Sequence, residues 1–424
     1  MIMSDQLICG IDIGSAKIST VVATQLKEED QLRIIGFNTT RSRGVKKGLI
    51  VDIDQVTAAV EESVEKAERM AGHKITRAYV SVGGPHIASI NSHGVVAISN
   101  PQDGIVAEDV ERVVDAARAI SLSTTRQIID VAPREYIVDG QPGIKNPVGM
   151  SGVRLEVDTH IVTASLTNLK NISRCLADLD IENAGFVFCG FASAEAVLTD
   201  TEKELGVCLV DIGGGKIDIC LYADGALSYS GSIAIGARHV TNDIAVGMRV
   251  SLESAERIKL YLSKHVHELS KKPKKDDHLD LSSLQLPEQI TEVSTKMLLD
   301  GIIGSRLEEM YRLIGEEIEK SGFAVGIPSG VVITGGGALT VGMIETGRKI
   351  LGLPIRIGVP SEVSGLLDEI LDPQFAATVG LILTRRKNII AEDDGIGKFN
   401  KVFRGVSIGK SASKLKELLK QFIP

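Results

Sequence analysis

The sequence predicts an α/β protein of two similar domains, with an α+β subdomain inserted into the first of them. A chain of 424 residues is long for a single hydrophobic core, which favours two or more domains. Strand and helix patterns alternate over most of the length. The segment CGIDIGSAKIS at residues 9–19 returns as CLVDIGGGKID at residues 208–218. Six residues recur in register, Cys9, Asp12, Ile13, Gly14, Lys17 and Ile18 as Cys208, Asp211, Ile212, Gly213, Lys216 and Ile217.

The first domain begins with three strand patterns, LICGIDIG, KISTVVAT and LRIIGFNTT, followed by a helix. Asp52 or Asp54 can cap this helix and Gly72 can end it. From about residue 84 the sequence pattern changes. Strand patterns and Gly/Pro-rich turns here surround one amphipathic helix, AEDVERVVDAARAI. We therefore predict an inserted α+β subdomain at residues 84–162.

The second domain contains the repeated hairpin and a second insertion from residue 236, which has two helices and a charged loop, SKKPKKDDHLD. One long helix is predicted over STKMLLDGIIGSRLEEMYRLIGEEIEKSG, followed by the strand GVVIT and by GGGAL. After about residue 386 the chain becomes polar and contains glycine, which is typical of a linker. A last helix is expected at residues 410–424.

The amino-acid composition excludes several classes of protein. The hydrophobic fraction of 43% and the charged fraction of 24% are ordinary for a soluble protein. A net charge of -8, scarce aromatics and no Trp argue against a nucleic-acid binder. The five cysteines are odd in number and show no C-x-x-C spacing, so neither a disulfide framework nor a zinc site is indicated. No secretory signal or membrane span is predicted, so we expect a cytoplasmic protein.

Each repeated hairpin has the pattern of a phosphate-binding turn with a cation ligand. Glycines allow a turn to approach a phosphate and to direct several backbone N–H groups at it, and Mg²⁺ needs few carboxylates because it keeps several waters. A single copy could be an ordinary hairpin, but two copies in register make that less probable. The candidate phosphate ligands are Asp12, Gly14, Ser15, Ala16 and Lys17 in the first turn, and Asp211, Gly213, Gly214, Gly215 and Lys216 in the second, with Asp12 and Asp211 as the candidate Mg²⁺ ligands.

A third glycine turn follows the buried strand of VVITGGGALT at residues 331–340. We predict that it starts a helix whose N-terminus approaches the nucleotide. Its candidate binding residues are Gly335, Gly336, Gly337 and Ala338.

These three turns, in this order, resemble the superfamily of actin, the sugar kinases and the DnaK-type chaperones. GIDIGSAK is similar to its first phosphate motif, VDIGGGKID to its second, and GVVITGGGAL to its adenosine motif. The resemblance implies the actin-like (ribonuclease H-like) fold, with a mixed central sheet flanked by helices in each domain. It also implies that Glu256 and Lys259, three residues apart on one helix face, contact the adenine and ribose. A plain surface charge pair remains the alternative for these two.

Within the superfamily the chain resembles the FtsA family of actin-like bacterial cell-division proteins. SRGVKKGLIVDID, YIVDGQPGIKNPVGMSGVRL and ELGVCLVDIGGG are similar to its characteristic stretches. The resemblance implies ATP and Mg²⁺ in the cleft, head-to-tail filaments, other division proteins as partners, and a place at the division site on the inner membrane face. It further implies that the C-terminal tail of FtsZ docks near Arg306, although a surface Arg on a helix is usually just solvated.

The resemblance divides the chain into six parts. We expect subdomain 1A at residues 1–83 with 163–198 and 362–386, and the inserted subdomain 1C at 84–162. Subdomain 2A is expected at 199–235 with 305–361, 2B at 236–304, a flexible linker at 387–409, and an amphipathic membrane-targeting helix at 410–424.

Two positions depart from the superfamily pattern. Lys216 stands where the second phosphate turn often has Thr, which would place an added cation near the phosphates. Gly190 stands where the chaperones carry a catalytic Glu, and Glu195, one turn further on, is expected to be structural. No catalytic residue is assigned, and at most slow ATP hydrolysis is expected.

The C-terminal segment SKLKELLKQFIP has the pattern of a membrane-surface helix. Its apolar residues are spaced as one helix stripe, and lysines flank them. A helix docked on its own domain is the alternative, but the preceding polar linker favours membrane binding. The predicted membrane-binding residues are Lys414, Leu415, Lys416, Leu418, Leu419, Lys420 and Phe422.

Other members of the superfamily remain as alternatives. A soluble sugar or acetate kinase needs a substrate-side carboxylate base, for which the sequence offers no candidate. A chaperone needs a substrate domain after the nucleotide domain, and only about forty residues follow TVGLIL. A pilus-assembly actin-like protein shares the inserted subdomain, and the C-terminal helix favours the FtsA family over it.

Overall fold

The computed structural model describes residues 6–25, 32–265, 277–323, 326–365 and 368–393. Among these residues no helix is long and apolar enough to cross a membrane. The predicted membrane-targeting helix at 410–424 and most of the predicted linker lie outside the described residues.

The first domain is built on a six-stranded mixed sheet. β1 (Gln6–Ile13), β2 (Lys17–Gln25) and β3 (Leu32–Arg41) form an antiparallel meander. β6 (Arg77–Val82) and β11 (Glu182–Phe188) extend the sheet in parallel with β1. The short strand β19 (Val363–Gly365) completes it beside β3, which gives the order β11-β6-β1-β2-β3-β19.

The second domain repeats this arrangement with five strands. β12 (Val207–Ile212) pairs with β13 (Ile217–Ala223) in antiparallel and with β17 (Val331–Thr334) in parallel, as β1 does with β2 and β6. β14 (Ala226–Ile233) and β18 (Ile355–Ile357) are the edge strands. The repeat in the sequence is therefore a repeat of structure, and the predicted α/β fold of two similar domains is confirmed.

The inserted subdomain has its own four-stranded antiparallel sheet and its own core. The strand order is β7-β10-β8-β9, and helix α2 (Ala107–Arg118) packs on β7 and β10. Val110, Val113 and Ala117 of this helix are buried in that core, as the sequence spacing predicts. The strands are β7 (Ala88–Ala97), β8 (Arg126–Val138), β9 (Gln141–Ile144) and β10 (Arg154–Ser165).

Helix α1 (Ile53–Ala71) begins and ends where the sequence predicts. The Asp52 side chain accepts a hydrogen bond from the Gln55 N–H, and Gly72 ends the helix in the left-handed conformation. The other helices are α3 (Leu166–Ala177), α4 (Cys189–Val197), α5 (Asp200–Leu205), α6 (Ala237–Met248), α7 (Leu252–Lys264), α8 (Ser305–Lys320), α9 (Met343–Leu351) and α10 (Ala376–Asp393), and the remaining short strands are β4 (Val45–Lys46), β5 (Leu49–Ile50), β15 (His278–Asp280) and β16 (Glu292–Ser294).

The long helix predicted before β17 is present with an irregular first part, and one predicted boundary, the start of the linker, is wrong. The long helix before β17 consists of a π-helical segment, Met297–Gly304, followed by α8; the wider π turn places Leu298 and Ile303, five residues apart, in the same core. Helix α10 continues to Asp393, into the segment predicted as linker from residue 387. No glycine or proline interrupts the chain between Gly380 and Gly395, so nothing local ends the helix earlier.

Helices α4 and α10 cross at a backbone contact that allows no side chain. A Cβ on Gly380 of α10 would overlap the carbonyl group of Ala192 in α4. Leu381 and Ala192 are fully buried in the same small cluster. Because α4 leads from the first sheet to the second, this crossing fixes how the last described helix packs on the connection between the domains.

Replacement of Gly380 by Ala is expected to lower the free energy of unfolding by about 1–3 kcal/mol, the usual cost of overpacking a tight core. The matched control is Gly315→Ala in α8, where the added Cβ meets only Leu351 at an ordinary 3.4 Å. Alanine should stabilise that helix by about 0.5–1 kcal/mol. Urea unfolding followed by circular dichroism measures both variants, and equal stabilities would contradict the proposed close contact.

Candidate functional site

The two hairpin turns of the repeat face each other between the domains. Each turn is closed by the same backbone bond, from Gly14 N to Lys17 O at 3.0 Å and from Gly213 N to Lys216 O at 2.9 Å. A Cβ on Gly214 would lie 2.9 Å from the Cβ of Ala16, and one on Gly215 would lie 2.8 Å from Ser15 Oγ. The turns can approach this closely only because the second one is made of glycines.

Asp12 and Asp211 lie at the ends of the two equivalent strands, and each is buried and held by a serine. Ser81 Oγ donates to Asp12 Oδ1 at 2.5 Å, and Ser193 Oγ donates to Asp211 Oδ2 at 2.6 Å. Burial raises the pKa of Asp211 to about 6. Each carboxylate keeps a second oxygen that accepts no hydrogen bond from another described residue. Ser81 and Ser193 were not found from the sequence, because they belong to β6 and α4, far from the motifs.

Lys17 places a cation among these carboxylates. Its Nζ donates to Gln374 Oε1 at 3.0 Å and lies 3.5 Å from the ring centroid of Phe375. Burial lowers the pKa of Lys17 to about 7, against the opposing effect of Asp12, Asp372 and Asp211. Lys17 is therefore partly neutral near pH 7 and can accept a proton when an anion approaches.

The third glycine turn packs on the second hairpin at the Asp211 end. A Cβ on Gly335, which has φ of 81°, would overlap Asp211 Oδ1, and one on Gly337 would overlap the side chain of Ile212. Both positions therefore require glycine. Gly336 and Ala338 belong to a 3₁₀ turn, Gly336–Leu339, and α9 begins only at Met343. The predicted helix start directly after the glycines is wrong, since Thr340 returns to extended backbone.

Glu256 and Lys259 form a structured pair on α7. Lys259 Nζ lies 2.8 Å from Glu256 Oε2 and donates to Thr241 Oγ1 at 3.0 Å. Thr241, on α6, donates in turn to Glu256. Lys259 is buried while Glu256 is half-exposed, so the pair is more than a solvated surface contact.

Lys216 does not present its ammonium group to the tip of the turn. Its Nζ pairs with Asp218, and both groups lie against Gly83 at the end of β6, where a Cβ would overlap Nζ. Burial opposes the charge on Lys216, yet Asp218 and the other nearby anionic groups hold its pKa above the ordinary value. The sequence did carry a signal for this pairing, because residues two apart in a strand lie on the same face.

Neither of the two positions considered for a catalytic glutamate can serve in that role. Gly190 is closely packed, and Glu195 forms an ion pair. A Cβ on Gly190 would lie 2.8 Å from the Phe188 ring and 3.0 Å from Cys220 Sγ, so no longer side chain fits there. Glu195 pairs with Lys203 at 2.6 Å, and both side chains are buried. The prediction that Glu195 is structural is consistent with this contact.

Arg306 lies in the first turn of α8 and is held by two carboxylates. Its guanidinium group donates to both oxygens of Asp243 on α6 and to Glu309 on its own helix. Its side chain is 22% exposed. An acidic partner would therefore compete with Asp243 for this group.

Two domains with the same mixed sheet, two facing glycine hairpins and a third glycine turn define an actin-like ATPase fold. Solved structures of this fold superpose on most of the chain. The PilM–PilN type IV pilus biogenesis complex gives a TM-score of 0.59 at 15% identity, over 89% of this chain and 98% of that one. MreB5 of Spiroplasma citri bound to AMPPNP gives 0.53 at 14% identity, over 93% and 100%. These low identities show the fold alone.

Sequence comparisons identify the family to which the chain belongs. Residues 84–163 match the family model "SHS2 domain inserted in FTSA", and residues 208–380 match the model "Cell division protein FtsA". The cell division protein FtsA of Borreliella burgdorferi is 38% identical over 99% of this chain and 98% of its own. FtsA of Pseudomonas aeruginosa is 36% identical over 90% of both chains. The chain belongs to the FtsA family of cell division proteins, which confirms the resemblance inferred from its motifs.

Proposed function

We propose that the protein binds ATP with Mg²⁺ between its two domains and forms actin-like filaments that attach FtsZ filaments to the inner face of the membrane during cell division. The observation that carries nucleotide binding is the facing pair of glycine turns, each preceded by a buried aspartate. Membership of the FtsA family supports the role in division. The AMPPNP found in the MreB5 structure supports a nucleotide in this cleft by likeness of fold.

The residues present fit a magnesium nucleotide. The glycine turns can direct backbone N–H groups at a phosphate. The second oxygens of Asp12 and Asp211 remain for a hydrated cation or its waters. Bound Mg²⁺ would neutralise charge on the phosphates. Lys17 supplies a protein cation to the same anion. The third turn, Gly335 to Ala338, together with Glu256 and Lys259, is proposed to hold the adenosine.

We propose that hydrolysis is slow at most. The Gly190 position has no room for a carboxylate, and Glu195 is held by Lys203. Neither is available to orient an attacking water, a function that ATPases assign to a positioned side chain.

Asp12→Ala and Asp211→Ala are each expected to weaken Mg-ATP binding at least about tenfold, since each removes a charged cation ligand. Titration calorimetry with the full chain measures the affinity, and circular dichroism checks the fold. Asp115→Ala, at an exposed position of the inserted subdomain, is the matched control. Unchanged affinity in both aspartate variants would rule out a site between the two hairpins.

Nucleotide binding is expected to take up a proton at about pH 8.5 but not at about pH 6, because Lys17 is neutral only above its pKa and a bound phosphate raises that pKa. Affinity should accordingly fall as the pH rises through about 7, the pKa of Lys17. At the higher pH Asp211, with a pKa of about 6, is already ionised. Calorimetry in buffers of different ionisation enthalpy counts the protons.

Lys17→Arg is the control for this proton, since its guanidinium group stays charged at both pH values. The variant should bind without proton uptake. If it takes up as many protons as the wild type, the titrating group lies elsewhere.

Arg306 is proposed as a contact for the acidic C-terminal tail of FtsZ. A carboxylate of the peptide would replace Asp243, so that one charge-assisted pair is exchanged for another. The binding free energy gained from such an exchange is small. We therefore propose that the peptide also contacts the surrounding surface of α6 and α8. Other division proteins are proposed as further partners.

The helix predicted at residues 410–424 is proposed as a reversible membrane anchor. Its four large apolar side chains, Leu415, Leu418, Leu419 and Phe422, are worth roughly 1.5–3 kcal/mol each when fully buried, and an interfacial helix realises part of this. Each lysine near an anionic leaflet adds about 1 kcal/mol. The free-energy cost of folding the helix on the membrane surface reduces the gain from both the apolar side chains and the lysines. A single tail should therefore bind weakly, and many tails on one filament should bind by avidity.

Co-sedimentation with anionic liposomes tests the anchor and separates the FtsA-like function from that of a soluble kinase or a pilus-assembly protein. The full chain is expected to pellet with the liposomes, more strongly with Mg-ATP, while a truncation ending at Gly409 stays in solution. Neutral liposomes provide the charge control. A full chain that stays in solution under every condition would contradict membrane tethering.

A further inference from the structure

A basic segment next to the nucleotide cleft, residues 41–48, is attached to the first phosphate turn at two points. Ser42 N donates to Ala16 O at 3.0 Å, and Gly48 N donates to Ser15 Oγ at 3.0 Å. Arg41 is also the ladder partner of Lys17 at the end of β3. The segment therefore has a fixed position relative to the turn that is proposed to bind phosphate.

The tip of this segment is a tight hairpin turn between β4 and β5. Lys47 and Gly48 have φ of 51° and 77°, the positive values that a type I′ hairpin turn requires at both central residues. A Cβ on Gly215 would lie 3.1 Å from Lys47 N, and one on Gly84 would lie 2.8 Å from Lys47 O. The tip thus lies between the second phosphate turn and the end of β6, close to both domains. Glycine or asparagine suits the Lys47 position better, so a lysine there is conformationally disfavoured.

The segment is strongly basic. Arg41, Arg43, Lys46 and Lys47 are exposed, and no acidic residue occurs between Arg41 and Val51 on a chain of net charge -8. None of the four forms an ion pair with another residue that the structure describes. Glu62 of α1 is the acidic group near Arg43. The buried side chain of Val45 anchors the hairpin in the core of the first domain, so the cations are held on a fixed element.

The hairpin and the third glycine turn mark opposite ends of the candidate site. The third turn packs against Asp211 and Ile212, at the base of the second hairpin. The Lys47–Gly48 tip contacts Ser15 and Gly215, at the tips of the phosphate turns. If the nucleoside lies at the third turn, the phosphate chain runs from there towards the tip.

We propose that Lys46 and Lys47 bind the terminal phosphate of a nucleoside triphosphate, so that this hairpin distinguishes the triphosphate from the diphosphate. The inference rests on the proposed nucleotide function of the cleft. Ser15 joins the two parts of the site, because its hydroxyl oxygen accepts from Gly48 while its hydrogen can be donated to the same phosphate. In the diphosphate complex the two lysines have no terminal phosphate to bind, so they add nothing to the affinity for the diphosphate.

The test compares the full chain with the variant Lys46→Gln/Lys47→Gln. The affinities for AMPPNP and for ADP are measured with Mg²⁺ by titration calorimetry. We expect the AMPPNP affinity to fall about tenfold for the loss of two charged contacts, and the ADP affinity to change less than about twofold.

The matched control is Arg69→Gln/Lys74→Gln, which removes the same charge at exposed positions near the far end of α1. That helix has 19 residues and is roughly 28 Å long, well beyond the screening length at physiological salt, about 8 Å. This control should leave both affinities unchanged. Thermal unfolding checks that both double variants are folded.

The outcomes are distinguishable. A wild-type chain that binds neither nucleotide would overturn the proposed function itself. Wild-type binding with equal losses for AMPPNP and ADP, or with no loss in the hairpin variant, would overturn only the role of the hairpin. A hairpin variant with normal AMPPNP affinity but weaker binding to anionic vesicles would also overturn it, because the lysines would then serve a membrane surface.

Discussion

The close approach of backbone to backbone at the glycine turns is the constraint on which the rest of the structure depends. Gly214 and Gly215 contact Ala16 and Ser15 without room for ordinary side chains between them. The third turn packs on the second hairpin under the same restriction at Gly335 and Gly337, where a Cβ would overlap Asp211 and Ile212. Because side chains are excluded at these positions, the turns can present backbone N–H groups to an anion, as phosphate-binding turns do.

The charged groups around these turns are arranged so that a bound ligand could pair with them. Asp12 and Asp211 are each held by one serine, and neither forms a direct ion pair with another residue that the structure describes. Burial lowers the pKa of Lys17, whose charge is favoured by Asp12, Asp372 and Asp211, to about 7. By contrast, Lys216 and Asp218 neutralise each other in a buried pair. The two lysines of the sequence repeat therefore have different roles, one beside the carboxylates and one in the contact between the domains.

The fold was predictable because its signals are local. The repeated hairpin, the cap at Asp52 and the stripe on α2 each depend on residues close together in the sequence. The site was only partly predictable. The sequence identified the three turns, but not the serines that hold the aspartates, nor the contact of Lys216 with Gly83. These depend on strands and helices that are distant in sequence, and the π turn before α8 depends on how Leu298 and Ile303 share one core.

The same contacts connect the cleft to the inserted subdomain. Gly83, against which Lys216 and Asp218 lie, is followed closely by β7, the first strand of that subdomain. On β7, Ser89 Oγ donates to Ser230 O at 2.7 Å, and His160 Nε2 on β10 lies 3.0 Å from Ser230 Oγ, both across to the edge strand of the second domain. Burial lowers the pKa of His160 to about 4, so this contact is uncharged at neutral pH. The inserted subdomain thus contacts the second domain close to the element that follows Gly83, so its position depends on the same contacts that hold the phosphate turns together.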